Sequence, residues 1–360
     1  MAPQIYQILD VRLSLDSDSE ELLSRFEQDY SWFAGQVGDG RQRLSVFLSE
    51  KNQVLRINEV VLPLKDQPHP AAYAHQVIGR MLMGEIRDYF ILHAAAVARG
   101  DKAVSICGPP GSGKTTLTLK LMEAGLRLLS DDFCPIHRET GLVHPFPRSL
   151  WISRPSKFAG CGTSEDPRGS IRGNKIPLKP SSPGVVLADG PCRLHSLIYL
   201  DPGDGFDERH EFQIGLKSSG EAGFLKGIRG LGKQMLVKKT GPELPEWQIR
   251  YPKGLGLTKA VRTLLADYRE HIWNVFRVNG GSIDFTKEPV LTPIPNHEAA
   301  FLAMSELKQE LALGRGPEPR AIEPMRHFME LNELLKETAC YRVTPGKLEV
   351  MVEQALKTLD

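Results

Sequence analysis

At 360 residues, 41% of them hydrophobic and 25% charged, the chain is long enough to bury a full core and to form two or three domains. A formal net charge of +1 gives no electrostatic reason to expect nucleic acid or an acidic membrane as partner. Five cysteines without a C-x-x-C pair indicate neither a zinc ribbon nor a disulfide framework, and no apolar run approaches the ~18 residues that a membrane span requires.

The opening "MAPQIYQILDVRLSLDSDSE" lacks a basic flank followed by an apolar core, which reads against export and for a cytoplasmic home. Residues 3–15, 43–49 and 53–64 alternate apolar and polar positions and predict half-buried strands. A helical pattern follows from about Pro70 to Phe90, carried by Ala71, Val77, Ile78, Met81, Leu82 and Ile86. Together these predict a mixed α+β N-terminal module over 1–88.

From "YFILHAAAVA" the texture changes. Three short apolar runs, 91–98, 102–107 and 126–130, surround the segment "CGPPGSGKTTL". Gly108, Gly111, Gly113, Lys114 and Thr115 fall on the G-x-x-x-x-G-K-[ST] spacing. In that pattern backbone N–H groups wrap phosphates, lysine reaches the terminal ones and the hydroxyl binds Mg²⁺. The nucleotide-contact set runs Gly108, Pro109, Pro110, Gly111, Ser112, Gly113, Lys114, Thr115 and Thr116, with Thr116 reading as a helix position at the edge of the loop. "KTTLTLKLMEA" carries Leu117, Leu119, Leu121 and Met122 on a helix that Gly125 would end in the left-handed conformation. The predicted order is strand, phosphate loop, helix, strand.

A second Mg²⁺ contact has two sources. "LIYLD" ends in Asp201, but Pro202 and Gly203 after it favour a turn. "LRLLSDDF" ends the next strand in Asp131 and Asp132, which lie beside bound phosphates if that strand neighbours the loop strand. Successive residues point to opposite sides of a strand, so one acid faces the metal and the other a reacting hydroxyl. His93 on spacing alone suits a structural place in an apolar strand.

This combination of "LHAAAV", "GPPGSGKTTL", a glycine-ended helix and "LLSDD" resembles the HPr kinase/phosphorylase superfamily, in particular the shorter HPr-kinase-related proteins, and more remotely the phosphoenolpyruvate carboxykinases. The close match spans 91–150, with an echo at 340–350; "HPFPRSL" with Arg148 and "CYRVTPGKLE" are similar pieces. The resemblance implies an α/β P-loop core of the HPr kinase/PEP carboxykinase type over 89–290 and a mainly helical segment over 291–360. It implies ATP and Mg²⁺ as cofactors, Thr115 and Asp131 as metal contacts, and His93, Lys114, Asp131 and Asp132 around the transferred phosphate. Asp132 is then assigned as base and Asp131 as metal contact, with the exchange of these two roles left open, and Arg148 is a neutraliser of transition-state charge or one half of a surface ion pair. The implied acceptor is a Ser/Thr hydroxyl of a protein or peptide, including precursor peptides of natural products; a nucleotide-binding regulatory ATPase and a small-molecule kinase are the alternatives. The loop departs from the acidic, serine-containing loop of the bifunctional enzymes, and the segment linked to phosphorolysis is not found here, which leaves open both HPr as acceptor and the reverse reaction. The resemblance leaves oligomeric state open, a homo-oligomer included.

Downstream, 155–190 is rich in Pro, Gly and Ser and predicts a long loop or lid. Residues 193–201 predict a strand. The stretch 216–240 mixes glycine with Lys226, Arg229, Lys233, Lys238 and Lys239 and suggests a solvated loop or a basic flap. Residues 256–275 and 297–338 predict helices, and the chain closes with a short strand and a helix started by Thr344 and Pro345.

Overall fold

The computed structural model describes residues 2–35, 42–65, 70–153, 175–203, 209–239, 246–252, 255–279, 283–307 and 324–360. Most of the predicted loop at 155–190 and the middle of the predicted helical segment at 297–338 lie outside the described residues, as does Cys161.

The N-terminal module is a five-stranded sheet in chain order, β1 (Gln4–Ile8), β2 (Val11–Ser17), β3 (Gln42–Ser49), β4 (Val54–Ile57) and β5 (Val60–Pro63). Each of the first and last predicted strands is in fact a hairpin. The chain reverses at Leu9 and Asn58, where φ is 54° and 49°, a left-handed conformation that Asn tolerates well and Leu poorly. A helix the alternation did not predict, α1 (Glu20–Tyr30), covers the sheet. The Ser19 hydroxyl accepts from the Leu22 N–H at 3.2 Å, and Leu22, Phe26 and Tyr30 form one buried stripe at four-residue spacing. The helix predicted over 70–90 stops earlier, as α2 (Pro70–Glu85).

The next sheet has nine strands in the order β6-β10-β11-β14-β8-β7-β9, with β20 paired to β14 and β19 to β20. Its strands are β6 (Tyr89–Leu92), β7 (Ala95–Arg99), β8 (Lys102–Cys107), β9 (Arg127–Ser130), β10 (Cys134–His137), β11 (Leu142–Val143), β14 (Cys192–Leu200), β19 (Val290–Pro293) and β20 (Ala339–Thr344); β12 (Leu150–Ser153) and β13 (Lys175–Leu178) pair separately. β8, β14 and β20 are parallel neighbours, whereas β7 runs antiparallel to both β8 and β9. The apolar strands are buried on both faces, which is why they read as continuous runs. Ala96, Ala98, Leu129 and Leu197 pack on one face; Val97, Val104, Ile106 and Ile198 pack on the other. Helix α3 (Lys114–Glu123) and the C-terminal helix cover the second face, giving helix, sheet and helix layers.

Two sequence expectations change here. The strand ending in the acid pair does not adjoin the loop strand, because β7 lies between them. The run 91–98 is not one strand but β6 and β7, broken at His93 and Ala94.

A third sheet, β16-β17-β15-β18, comprises β15 (Arg209–Leu216), β16 (Leu236–Lys239), β17 (Glu246–Pro252) and β18 (Ile272–Asn279). Two helices, α4 (Ser218–Gly230) and α5 (Leu255–Asp267), complete its core. The glycine-rich stretch read as a loop is therefore largely helix α4. A Cβ on Gly220, Gly223 or Gly227 would meet His271 at 2.3 Å, Tyr268 Oη at 2.6 Å or Leu264 at 2.8 Å. These glycines permit close packing rather than looseness. Lys226, Arg229 and Lys233 are exposed, with the Arg229 guanidinium 5.9 Å from the Trp247 ring.

The remaining helices are α6 (Asn296–Ser305), α7 (Pro324–Leu334) and α8 (Leu348–Lys357). Helix α8 starts later than Thr344 and Pro345 suggest, with Lys347 as its N-cap residue and no side-chain cap. Strand β20 adds the C-terminal segment to the central sheet.

Candidate active site

Strand β8 ends at Cys107 and delivers the chain into the glycine loop, which enters α3 at Lys114. Gly108, Gly111 and Gly113 have φ of 140°, 82° and 94°, conformations that only glycine adopts without strain. At Gly108 a second demand applies, since a Cβ there would lie 2.6 Å from the Leu200 carbonyl and 2.9 Å from Ser112 Oγ. The loop is therefore pressed against the end of β14. Helix α3 closes as the sequence predicts: Gly125 has φ of 97°, its N–H donates to Met122 O at 3.0 Å, and the Leu126 N–H donates to Leu121 O at 3.1 Å.

Lys114 is 8% exposed and folds over the loop, its ammonium donating to the Gly108 carbonyl at 2.6 Å and to the Pro109 carbonyl at 3.3 Å. A lysine ammonium folded over a glycine loop that leads into a helix N-terminus is a fitting receptor for phosphate.

The acid pair reaches the same place by another route. In register, Leu92 pairs with Cys134 and Ala96 pairs with Ser130. The same count continues through the gap, setting His93, Ala94 and Ala95 against Phe133, Asp132 and Asp131. Residues 89–99 and 127–137 thus form one antiparallel ribbon whose ladder opens in the middle, and the opening carries the histidine and both acids. His93 Nε2 lies 3.0 Å from Asp132 Oδ1, and the Thr115 hydroxyl donates to Asp131 Oδ2 at 3.3 Å. The extra strand between β8 and β9 does not keep Asp131 from the loop.

Glu306 completes the cluster. Sequence reasoning missed it because 213 residues separate it from His93 and no motif marks it. Its carboxylate Oε2 is 3.1 Å from His93 Nδ1, and its carbonyl accepts the His93 N–H at 2.7 Å. An isolated pairing of Leu92 with Leu307 holds the two segments together.

Arg148 forms an ion pair, the second of the two places expected for it, though this pair is part-buried and not at the surface. It donates to Asp29 Oδ2 of α1 at 2.5 Å and stacks 5.3 Å from the Tyr30 ring and 4.9 Å from the Phe133 ring. His75 Nε2 lies 3.4 Å from the same carboxylate. Burial alone would raise Asp29, yet the charges of Arg148 and His75 hold it well below the usual carboxylate range. Arg148 ties the N-terminal module to the residue after the acid pair, and it feels the Asp132 charge from there. Asp201 behaves as a turn residue: Oδ1 accepts from the Gly203 N–H at 3.0 Å, and Oδ2 lies 3.5 Å from Arg342.

Among the described residues no group of three or more His, Cys, Asp and Glu is arranged to hold a metal. The hydroxyl and carboxylate of Thr115 and Asp131 are hard oxygen donors, and two protein oxygens beside a phosphate cradle suit Mg²⁺, which takes its other ligands from phosphates and water. The glycine conformations, the Gly108 contact and the folded lysine suit a nucleotide triphosphate.

No family model matches the chain, and no curated protein matches it. Among solved structures it has a remote likeness to the HPr(Ser) kinase/phosphatase from Coxiella burnetii, at 19% sequence identity and a TM-score of 0.21, over 50% of this chain and 90% of that one. A likeness at that level carries no argument about mechanism. Among the described residues no helix is long and apolar enough to cross a membrane.

Proposed function

We propose that this chain is an ATP-dependent kinase that transfers the γ-phosphoryl group to a hydroxyl, with a serine or threonine of a protein or peptide as the acceptor that the motif resemblance implies. The observation that carries the reading is the division of labour in the opened ribbon. Asp131 contacts the Thr115 hydroxyl of the loop, while its neighbour Asp132 contacts His93. A nucleotide switch needs one acid for its metal; a second, histidine-backed carboxylate suits the removal of a proton from an attacking hydroxyl.

Phosphoryl transfer asks a protein mainly for positioning and charge neutralisation. The loop N–H groups and Lys114 would hold the phosphates, the ammonium exchanging loop carbonyls for phosphate oxygens. Thr115 and Asp131 would hold Mg²⁺, which when bound supplies positive charge to the transferred group. Asp132 accepts the proton as the acceptor oxygen bonds to phosphorus and the bond from phosphorus to the leaving nucleotide oxygen breaks. His93 orients that carboxylate. Arg148 steadies the turn through Phe133 and contributes positive charge from behind it.

The test is incubation of the protein with ATP labelled at the γ-phosphate, Mg²⁺ and a cell lysate or peptide library. Label on protein or peptide serine and threonine supports the reading. Label released only as free phosphate makes the chain a regulatory ATPase, and label on small metabolites makes it a small-molecule kinase.

A further inference from the structure

We infer that the third sheet is a dock for an acidic peptide segment, which adds as a strand along the open edge of β16 and sets its carboxylates against cations on both faces of that edge. As a dock for the phosphate acceptor it rests on the kinase reading above; as a binding site it does not.

The net charge of +1 on the whole chain conceals a division. Residues 209–279, which build this sheet and its two helices, hold 13 Lys and Arg against 6 Asp and Glu, a formal +7 that leaves −6 for the rest of the chain. A local excess of that size attracts acidic partners. Arg250 is neutralised by Glu211 at 2.6 Å. Lys226, Arg229, Lys238 and Lys239 are exposed, and among the described residues no acid is paired with any of them.

The edge itself says what kind of acidic partner fits. Among the described residues β16 pairs with β17 alone, so its other side is open. Alternation along the strand sends Val237 and Lys239 to the helix-covered face and Leu236 and Lys238 to the opposite one. On the first face Lys239 is the ladder partner of Trp247, and the Arg229 guanidinium lies 5.9 Å from that ring, so two cations flank one indole. On the second face Lys238 shares its side of the strand with Leu236, which is 54% exposed. Lysines on an edge oppose pairing with another edge of the same charge and admit one of opposite charge. An extended peptide bonded to β16 sends its own side chains alternately to the two faces, where acids meet cations on each. The main-chain bonds favour a peptide over a nucleic acid, whose phosphates would use the cations but leave the strand edge unpaired.

The described ends of both connections to this unit lie at the glycine loop. The chain leaves the central sheet at the end of β14, where a Cβ on Gly108 would lie 2.6 Å from the Leu200 carbonyl. On its return, Phe285 Cζ comes within 3.8 Å of a Cβ placed on Gly113. A peptide held by the third sheet is therefore tethered to a unit rooted beside the phosphate receptor, which raises the local concentration of any hydroxyl it carries.

The experiment measures binding to the full chain without nucleotide. A dye-labelled peptide of about 12 residues built from Glu-Glu-Val-Thr repeats is followed by fluorescence anisotropy, beside the same peptide with Lys in place of Glu and a single-stranded oligothymidine. The Glu peptide should bind saturably, the Lys peptide should not, and the affinity should fall as salt is raised from about 50 to 200 mM. Lys238→Gln combined with Lys239→Gln should weaken binding ~10-fold or more at an unchanged melting temperature, and Arg229→Gln should weaken it in the same direction. Two further Glu peptides, N-methylated at odd or at even residues, test the strand edge: one of them must lose binding, and full binding of both overturns strand addition. Absence of Glu-peptide binding by the wild-type protein, or tighter binding of the oligothymidine, overturns the inference whether or not any variant folds. If the Glu peptide binds as expected and the protein transfers phosphate to no protein or peptide, the kinase reading fails and the dock stands; if transfer occurs and the Glu peptide does not bind, the dock fails alone.

Discussion

His93 Nε2 meets Asp132 Oδ1 at 3.0 Å, a diagonal contact across the point where the ladder joining residues 89–99 to 127–137 opens. Asp132→Asn keeps the shape of the side chain and removes its capacity to take a proton. We expect kcat for transfer to fall by ~10²–10⁴-fold, while nucleotide affinity, followed by a fluorescent ATP analogue, stays within about twofold of wild type. Asp131→Asn should behave differently, raising the Mg²⁺ concentration needed for half-maximal rate. Equal and purely kcat-directed losses in both variants would mean that the two acids do not divide their roles.

Lys114 folds over the loop and donates to the Gly108 and Pro109 carbonyls. Lys114→Ala should remain folded, as read from its melting temperature. Transfer should nevertheless be abolished, because the loop loses the ammonium that would hold the terminal phosphates. Wild-type turnover in this variant would remove the nucleotide-loop reading.

Gly108 is the loop position where substitution is most costly. Gly108→Ala meets both a φ of 140° and a contact of 2.6 Å with the Leu200 carbonyl, so the loop must lift from β14. The strain costs ~1–3 kcal/mol, to be read as a lower urea midpoint together with loss of nucleotide binding. Gly100→Ala is the control. It shares a positive φ, 65°, but a Cβ there meets nothing within 4 Å, so it should bind nucleotide normally.

The glycine loop, the helix behind it and the strands around it were legible in the sequence because each signal is local. Glycine spacing, an apolar helix stripe and strand-length runs act over fewer than about a dozen residues. The placement of β7 between β8 and β9 was not legible, since two apolar runs in succession do not say which neighbour each will pair with. Helix α1 did carry a signal, Ser19 as cap and Leu22, Phe26 and Tyr30 at helical spacing, which the alternation of the flanking strands obscured. Glycine misled at α4, where Gly220, Gly223 and Gly227 are demanded by Tyr268, His271 and Leu264 from elsewhere in the chain. Glu306 joins the site through the Leu92–Leu307 pairing, a contact that no local pattern announces.

A pH effect follows from His144. Burial first, and then the nearby His137, push it down to about 4; the Tyr89 hydroxyl lies 3.4 Å from its Nδ1. The folded protein therefore binds this proton less readily than the unfolded chain, whose histidines titrate near ~6.5. Stability is free of this penalty above about pH 6.5, falls as pH drops toward about 4, and loses nothing further from this group below that. His144→Gln should flatten the stability curve across that window, measured by urea midpoints at intervals of about half a pH unit. An unchanged slope would assign the acid sensitivity to other groups.

The part-buried ion pair of Arg148 and Asp29 gives the sharpest test of how the N-terminal module meets the site. Their side chains are 18% and 15% exposed, so cutting one partner leaves a charge in a poorly hydrated place. Arg148→Met should cost ~3–5 kcal/mol, toward the lower end because His75 remains beside Asp29. Asp29→Leu should cost a similar amount, and the double variant should recover most of the loss, since an apolar pair needs no charge compensation. Asp29 is held below its ordinary range, so its contribution is complete above about pH 4 and is lost only as pH falls through its lower folded value. The double variant also separates structure from catalysis. If Arg148 acts by steadying Phe133 and the acid turn, the refolded double variant keeps kcat within about tenfold of wild type; if its charge stabilises the transferred phosphate, kcat falls by ~10³-fold although stability has returned. The geometry favours the first result, because the guanidinium is already committed to Asp29 and lies within 5.3 Å of the Tyr30 ring and 4.9 Å of the Phe133 ring.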